Sequence, residues 1–231
     1  MPPDNSVLKA CQIEIPLRTG RTTLNGDLHV PKEMQGVVIF SHGSGSSRHS
    51  PRNRFVARVL QEAGFATLMF DLLTEAEERL DTTTAQLRFD IDLLASRLMD
   101  ATEWLAGQPE FDRAKLGYFG ASTGAAAALV AAAERSGISA VVSRGGRPYL
   151  AGPALERVHA PVLLIVGEED HEVLRLNRSA ALRLGGENQL SIVPGATHLF
   201  EEPGALEQAA QMARQWFQRF LGSRNTAVHA A

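Results

Sequence analysis

Short, mostly apolar runs alternate along this chain with longer segments whose apolar residues recur at helical spacing. Such short runs, bounded by glycine, proline or polar residues, are typical of strands buried on both faces of a sheet. Two early segments, 12–17 and 24–30, alternate loosely between apolar and polar residues and predict strands, with Asn25-Gly26 as a bulge or turn in the second. The buried runs that follow occupy residues 37–40, 66–70, 115–119, 140–143, 162–166 and 190–193.

Helical patterns lie between most of these predicted strands. The acidic residues 75–78 predict a loop, and in the long segment 87–105 we expect an inner face of Phe89, Leu93, Leu94, Leu98 and Trp104. Strands that alternate with helices indicate an α/β fold, with a mostly parallel sheet of about eight strands and helices on both faces. The predicted helices cover residues 54–63, 87–105, 125–133 and 206–221.

Composition narrows the class of protein. The chain has 231 residues, of which 44% are hydrophobic and 21% charged, and no linker or repeat divides it. We therefore expect a single domain over residues 1–222 and a flexible tail over 223–231. The net charge of −3 gives no reason to expect nucleic acid as a partner. No apolar run is long enough to cross a bilayer and no signal peptide is evident, so we expect a cytoplasmic protein.

One short motif carries the strongest chemical signal. Residues 120–124 follow a Gly-x-Ser-x-Gly pattern, between the predicted strand 115–119 and the predicted helix 125–133. A serine on a tight strand-to-helix turn is a nucleophile elbow, because the flanking glycines remove side chains that would collide there. We therefore expect Ser122 to be a nucleophile at the start of a helix whose dipole favours negative charge.

A serine hydroxyl needs a base, and the base needs an acid to orient it. Asp170 follows the strand 162–166 and His198 follows the strand 190–193, which gives the order Ser, acid, His along the chain. Because the carboxyl ends of parallel strands meet at one rim, we expect these side chains near Ser122. Glu168 and Glu169 are alternative candidates for the acid.

Four short stretches follow one another along the chain, each after a predicted strand. They are His42-Gly43-Ser44-Gly45, Gly120-x-Ser122-x-Gly124, Gly167-x-x-Asp170-x-x-Val173 and Gly195-x-x-His198-x-Phe200. In this order they resemble the α/β-hydrolases, and specifically the small lidless members similar to dienelactone hydrolase. The resemblance implies the α/β-hydrolase fold, with Ser122 as nucleophile, His198 as general base and Asp170 as orienting acid. It also implies an oxyanion hole formed by the backbone N–H groups of Thr123 and Ser44.

Two features depart from that family pattern. The resemblance to dienelactone hydrolase itself implies a cysteine as the nucleophile on the elbow, whereas the elbow residue here is Ser122. The only cysteine, Cys11, lies on an early predicted strand and excludes an intramolecular disulfide. In addition, only residues 144–160 separate two neighbouring predicted strands, which leaves no room for a large lid domain. We therefore expect a serine hydrolase with an open site.

Arginines near the same rim are candidates for substrate binding. Gly43, in the glycine-rich loop, is a further candidate for contact with the substrate. Arg48 follows that loop, and Arg144 directly follows a predicted strand. A guanidinium there can bind a carboxylate or phosphate of the substrate, or it can pair with acidic residues such as Glu75 and Glu78. Arg144 is the favoured candidate because its position places it near the rim.

Other polar residues have simpler interpretations. We expect His42 to orient its own loop, Asp71 to cap a helix or turn, and His171 to begin a helix. Residues 42–47 lack the Lys-Ser/Thr ending of a phosphate-binding P-loop. No group of His, Cys, Asp and Glu has the spacing of a metal site, and we expect no cofactor.

The sequence thus predicts a hydrolase that cleaves a small ester, thioester or lactone through an acyl-enzyme, acting as a monomer or homodimer. Two alternatives remain open. The acyl group could pass to an alcohol, an amine or hydrogen peroxide in place of water. The fold could also serve a receptor that binds a ligand without turnover.

Overall fold

A computed structural model describes residues 7–18 and 22–222. The predicted tail at 223–231 lies outside these residues. The described strands are β1 (Val7–Pro16), β2 (Thr23–Pro31), β3 (Gly36–Ser41), β4 (Phe65–Phe70), β5 (Leu116–Ala121), β6 (Ile138–Arg144), β7 (Val162–Gly167) and β8 (Asn188–Val193). These eight strands form one sheet in the order β1-β2-β4-β3-β5-β6-β7-β8.

The sheet is mostly parallel, as the alternation of strands and helices predicts. Strand β2 runs antiparallel to β1 and β4, while every pairing from β4 through β8 is parallel. Consecutive strands β3, β5, β6, β7 and β8 lie side by side, so their carboxyl ends meet at one rim. In a sheet of this kind that rim collects the functional residues.

Helices cover both faces of the sheet. The helices are α1 (Pro51–Glu62), α2 (Glu75–Thr84), α3 (Ile91–Ala106), α4 (Thr123–Glu134), α5 (His171–Ala181) and α6 (Ala205–Phe220). The side chains of Val37 and Ile39 pack on one face with α3 and α4, and Val38 and Phe40 pack on the other with α1 and α6. The alternation follows from the period of two in a strand, so that β3 must be apolar on both faces.

The structure corrects the prediction for the pair Asn25-Gly26. These residues form neither a turn nor a bulge, because β2 continues through them and pairs with β1 at Glu14 and Ile13. Glycine suits this position since a Cβ on Gly26 would lie 3.1 Å from Ile13 and 3.3 Å from Phe70. Close packing between strands, and not a change of direction, explains the glycine.

The segment between β4 and α3 also differs from its prediction. The acidic residues 75–78 begin helix α2, where Thr74 and Glu77 form a reciprocal capping box. The predicted long helix 87–105 is divided, because Leu87–Phe89 is a 3₁₀ turn and Asp90 caps the start of α3. Phe89, which the pattern places on the inner face, is half exposed because it precedes the helix.

No helix among the described residues is long and apolar enough to cross a membrane.

The turn between β5 and α4 is packed too closely for side chains at its two glycines. A Cβ on Gly124 would overlap the backbone carbonyls of Ser41 and His42. A Cβ on Gly120 would lie 2.7 Å from the backbone nitrogen of Ala125. The contacts at both positions would be shorter than van der Waals contact, so both require glycine if α4 is to begin immediately after β5.

Gly124→Ala should therefore lower the free energy of unfolding by about 2 kcal/mol or more, because the backbone at Ser41 and His42 must move aside. Gly107→Ala is the matched control, since a Cβ there meets only ordinary contacts and φ is −77°. Urea denaturation followed by circular dichroism measures both variants. Equal stabilities for the two variants would contradict this account of the turn.

Candidate active site

Ser122 lies between β5 and α4 in a backbone conformation that non-glycine residues rarely adopt. Its φ is 51° and its ψ is −120°. Three backbone hydrogen bonds hold it there. The Ser122 N–H donates to the Arg144 carbonyl at 3.3 Å, and the Ser122 carbonyl accepts from the N–H groups of Ala125 and Arg147, each at 3.1 Å. The end of β6, the loop after it and the first turn of α4 thus fix the serine, which lines a cavity at the rim.

The predicted acid and base meet beside that cavity. The Nδ1 atom of His198 lies 2.6 Å from Oδ2 of Asp170, which is the length of a strong charge-assisted hydrogen bond. Because a carboxylate only accepts, the Nδ1 proton faces Asp170 and Nε2 is left as the acceptor of the neutral ring. The bond therefore fixes the ring in the tautomer that a general base requires.

The other two acidic candidates have different contacts. Glu168 accepts a hydrogen bond from the Gly195 N–H at 2.9 Å and so holds the loop that carries His198. Glu169 is exposed and lies 3.7 Å from His171, the first residue of α5 as predicted. Of the three acids, Asp170 is the one that contacts His198.

A small cavity joins Ser122 to His198. Its volume is about 270 Å³. A larger cavity of about 990 Å³ lies beyond His42 and shares Ser46 with it, but neither Ser122 nor His198 lines that space. The small cavity is therefore the one that both Ser122 and His198 line. Its lining consists of Gly43, Ser44, Ser46, Ser50, Arg52, Asn53, Ala121, Ser122, Arg144, Gly145, Arg147, His198 and Leu199.

The backbone amides predicted for the oxyanion hole belong to Thr123, the residue after Ser122, and to Ser44, which contacts Thr123. Thr123 occupies the first turn of α4, where backbone N–H groups have no partner within the helix. The Ser44 N–H donates to Oγ1 of Thr123 at 2.8 Å, so this amide is occupied in the free protein. Gly43 passes close to the serine, since a Cβ on it would lie 3.1 Å from Cβ of Ser122.

His42 orients the loop that carries these residues. Its Nδ1 lies 3.0 Å from the Gly43 carbonyl, and its Nε2 accepts the Leu72 N–H at 3.1 Å. Burial lowers the pKa of His42, which favours the neutral ring that these two bonds require. With both nitrogens engaged, His42 is a structural residue of the loop, as predicted.

Arg48 pairs with an acidic residue, which is the second of the two roles predicted for the rim arginines. Its side chain forms an ion pair with Asp71, and its backbone N–H donates to the same carboxylate at 2.8 Å. Asp71 thus holds the loop after β3 and does not cap a helix. Arg48 does not line the Ser122 cavity, so the structure does not support it as a substrate-binding residue.

Arg144 does line the cavity, and it is 7% exposed. Its Nη2 donates to Oδ1 of Asn53 at 3.2 Å, and its guanidinium lies 5.6 Å from the centre of the Phe200 ring. Burial, together with the nearby Arg52, lowers the pKa of Arg144 to about 10. The contact with Asn53 cannot be predicted from the local sequence, because Asn53 is 91 residues from Arg144 and belongs to no recognisable motif.

No group of three or more His, Cys, Asp or Glu side chains within residues 7–18 and 22–222 is arranged to hold a metal ion. A serine on a strained turn, an imidazole oriented by a carboxylate and backbone amides at a helix start are the kinds of group that acyl transfer requires.

The profile of the Dienelactone hydrolase family matches residues 24–223. The chain belongs to the dienelactone hydrolase family. A crystal structure of dienelactone hydrolase from Anabaena variabilis is 55% identical, with a TM-score of 0.89 over 92% of this chain and 98% of that one. This similarity agrees with the α/β-hydrolase fold described above, in which no lid domain is evident among the described residues.

More distant structures share the fold alone. Est1E from Butyrivibrio proteoclasticus is 16% identical, with a TM-score of 0.74 over 90% of this chain and 98% of that one.

The single cysteine of the present chain lies far from the strand-to-helix turn. The residue on that turn is Ser122, whereas Cys11 lies on the edge strand β1, separated from β5 by three strands. The free cysteine is therefore remote from the site.

Two curated relatives from Mycobacterium tuberculosis strains are 59% identical over 205 residues, which is 88% of this chain. Each carries the name "Putative phosphoribosyl transferase". The matched region is 45% of each relative, so the chain spans about half the length of these proteins. The name thus belongs to proteins that have a large region outside the part matched by this chain.

The hydrogen bond between Asp170 and His198 can be tested without an activity assay. A short, charge-assisted N–H···O bond deshields its proton, so we expect a proton resonance far downfield of the backbone amides. Asp170→Asn should abolish this far-downfield resonance, because the amide oxygen is a neutral acceptor and the bond is then no longer charge-assisted. Glu169→Gln is the control and should keep it. A resonance that persists in Asp170→Asn would refute the pairing.

Proposed function

We propose that this protein is a serine hydrolase that cleaves a carboxylic ester, thioester or lactone of a small substrate through an acyl-enzyme. One observation carries the proposal. Ser122, on its strained turn, lines the same cavity as a His198 ring whose Nδ1 lies 2.6 Å from Asp170. Nucleophile, base and orienting acid are the three groups that serine-based acyl transfer requires.

The first half of the reaction forms the acyl-enzyme. Oγ of Ser122 attacks the carbonyl carbon, and Nε2 of His198 takes the hydroxyl proton. Asp170 stabilises the imidazolium that results. The tetrahedral intermediate then collapses, the bond to the leaving group breaks, and His198 returns its proton to the departing alcohol or thiol. General base catalysis of this kind contributes about 10²- to 10⁴-fold to the rate.

The negative oxygen of the intermediate requires hydrogen-bond donors. We assign the backbone N–H groups of Thr123 and Ser44 to this role. The Thr123 amide is free within the first turn of α4, and the helix dipole favours negative charge there. The Ser44 amide is held by Oγ1 of Thr123 in the free protein at 2.8 Å. It becomes available when it exchanges the hydroxyl for the oxyanion, which is the stronger acceptor.

Hydrolysis of the acyl-enzyme completes the cycle. His198 accepts a proton from water, and the hydroxyl attacks the acyl carbon on Ser122. The bond to Oγ breaks as His198 returns the proton to the serine, and the carboxylic acid leaves. A cavity of about 270 Å³ suits a short acyl chain or a small lactone.

A cytoplasmic location, a single domain and a monomeric or homodimeric state stay predictions from the sequence. The choice of water over another acceptor is likewise part of the proposal. Products formed in the presence of competing alcohols, amines or hydrogen peroxide would distinguish hydrolysis from acyl transfer. Labelling of the folded protein by a fluorophosphonate separates an enzyme from a receptor, because only an activated serine reacts.

Ser122→Ala should lower kcat/KM for p-nitrophenyl acetate by at least about 1,000-fold, because the variant has no nucleophile to form the acyl-enzyme. Cys11→Ser is the matched control. It removes the only thiol of the chain from the edge strand β1 and should leave the rate unchanged. Steady-state kinetics of the wild type and the two variants make the comparison. A similar rate for wild type and Ser122→Ala would overturn the proposal, and so would a large loss in Cys11→Ser.

A further inference from the structure

Asn177 is a buried polar residue on the otherwise apolar inner face of α5. The buried residues of this helix are Val173, Leu174, Asn177 and Ala180. The Nδ2 of Asn177 donates to the carbonyls of Val173 at 2.8 Å and of Gly146 at 2.9 Å. Its Oδ1 is buried and has no hydrogen-bond partner among the described residues. Because both neighbours are carbonyl acceptors, the amide nitrogen must be the atom that faces them.

Packing alone does not explain an asparagine at this position. Asparagine is less favourable than an aliphatic residue inside a helix, and a buried oxygen without a partner adds a desolvation cost. The bond to Val173 lies within α5, whereas the bond to Gly146 joins α5 to residues 145–147, which we call the β6 loop. The contact with Gly146 is the one that a leucine of the same branched shape could not supply.

The peptide bond between Gly146 and Arg147 is held at both of its ends. Its carbonyl accepts from Asn177, and its N–H, which belongs to Arg147, donates to the carbonyl of Ser122 at 3.1 Å. A peptide unit is planar, so a bond that fixes the direction of its C=O also fixes the direction of its N–H. Asn177 therefore orients one of the donors that hold Ser122 at a φ of 51°.

The β6 loop is also packed closely against its surroundings. At Gly145, where φ is 51°, a Cβ would lie 3.2 Å from the carbonyl oxygen of His198. At Gly146 a Cβ would overlap Oγ of Ser143 and would lie 2.7 Å from Cβ of Ala125. Since neither glycine has a side chain that could anchor the loop, its hydrogen bonds determine where the peptide bonds point.

Helix α5 also carries the proposed acid. Asp170 precedes the helix, and its carbonyl accepts from the Leu174 N–H at 2.8 Å, which fixes Asp170 to the first turn. Asn177 lies about two helical turns further along the same helix. Its bond to Gly146 thus joins the helix that places Asp170 to the loop that places Ser122.

We infer that Asn177 is a positioning residue for acyl transfer, which holds the Gly146–Arg147 peptide so that Ser122 stays in place beside the Asp170–His198 pair. Asn177 is not among the lining residues of the Ser122 cavity, so it acts through the β6 loop and not on the substrate. The inference rests on the proposed hydrolysis for its effect on a rate, but the order of the loop can be measured without any reaction.

The kinetic test compares Asn177→Leu with the wild type on p-nitrophenyl acetate. Leucine keeps the branched shape but cannot donate to Gly146, so the Arg147 N–H should hold Ser122 less firmly. We expect kcat/KM to fall by about 10- to 100-fold, because a small displacement of a reacting group costs a large part of the rate. Asn177→Ala removes the same donor without adding volume and should show the same loss. Equal kcat/KM values for the wild type and both variants would overturn the inference.

Thr102→Val is the matched control for the loss of a buried hydrogen bond. Oγ1 of Thr102 donates to the Leu98 carbonyl at 2.7 Å within α3 and lies 2.8 Å from the hydroxyl of Tyr118, outside the lining of the Ser122 cavity. This variant should be less stable to urea than the wild type but should keep its kcat/KM. A loss of rate in Thr102→Val as large as that in Asn177→Leu would count against a positioning role.

Hydrogen exchange of backbone amides tests the loop itself. In Asn177→Leu and Asn177→Ala the Arg147 N–H should exchange at least about tenfold faster than in the wild type, while the Leu174 N–H within α5 stays protected. The downfield proton resonance of the Asp170–His198 pair should persist in both variants. Unchanged exchange at Arg147 would overturn the inference even if ester hydrolysis is established. Faster exchange at Arg147, together with a wild type that hydrolyses no ester, would keep the role of Asn177 in the loop and refute the proposed reaction.

Discussion

The close approach of α4 to the ends of β3 and β5 is the constraint on which the site depends. Gly124 lies against the carbonyls of Ser41 and His42, and Gly120 lies against the backbone of Ala125, so neither position has room for a side chain. Ser122 is thereby held at a φ of 51° between two closely packed elements. A looser turn would relieve the strain, but the hydroxyl would then not be fixed at the rim beside an oriented imidazole.

The groups that surround this serine come from the ends of neighbouring parallel strands. His198 and Asp170 follow β8 and β7, and Arg144 ends β6. Ser122, His198 and Arg144 line one small cavity at this rim, and Asp170 contacts His198 from beside it. The strained turn thus fixes the position of Ser122 relative to the groups that the neighbouring strands supply.

Patterns that act over short distances in the chain could be predicted from the sequence. The eight strands, Ser122 on its turn and His198 after β8 each have a local signal. Helix α2 has a local signal as well, because Thr74 and Glu77 have the spacing of a capping box. The run of acidic residues at its start nevertheless led to the wrong prediction of a loop. The partners of Arg144 and Arg48 have no local signal. Asn53 is 91 residues from Arg144, and Asp71 is 23 residues from Arg48, so tertiary packing alone decides which arginine is paired.

The most direct test of the account is a crystal structure of the protein after inactivation by a small phosphonate that mimics the tetrahedral intermediate. The account predicts a covalent bond from phosphorus to Oγ of Ser122, with the phosphoryl oxygen within hydrogen-bond distance of the Thr123 and Ser44 amides. The Ser44 amide would then have left Oγ1 of Thr123. Phosphorus attached to another residue, or a phosphoryl oxygen pointing away from both amides, would contradict it.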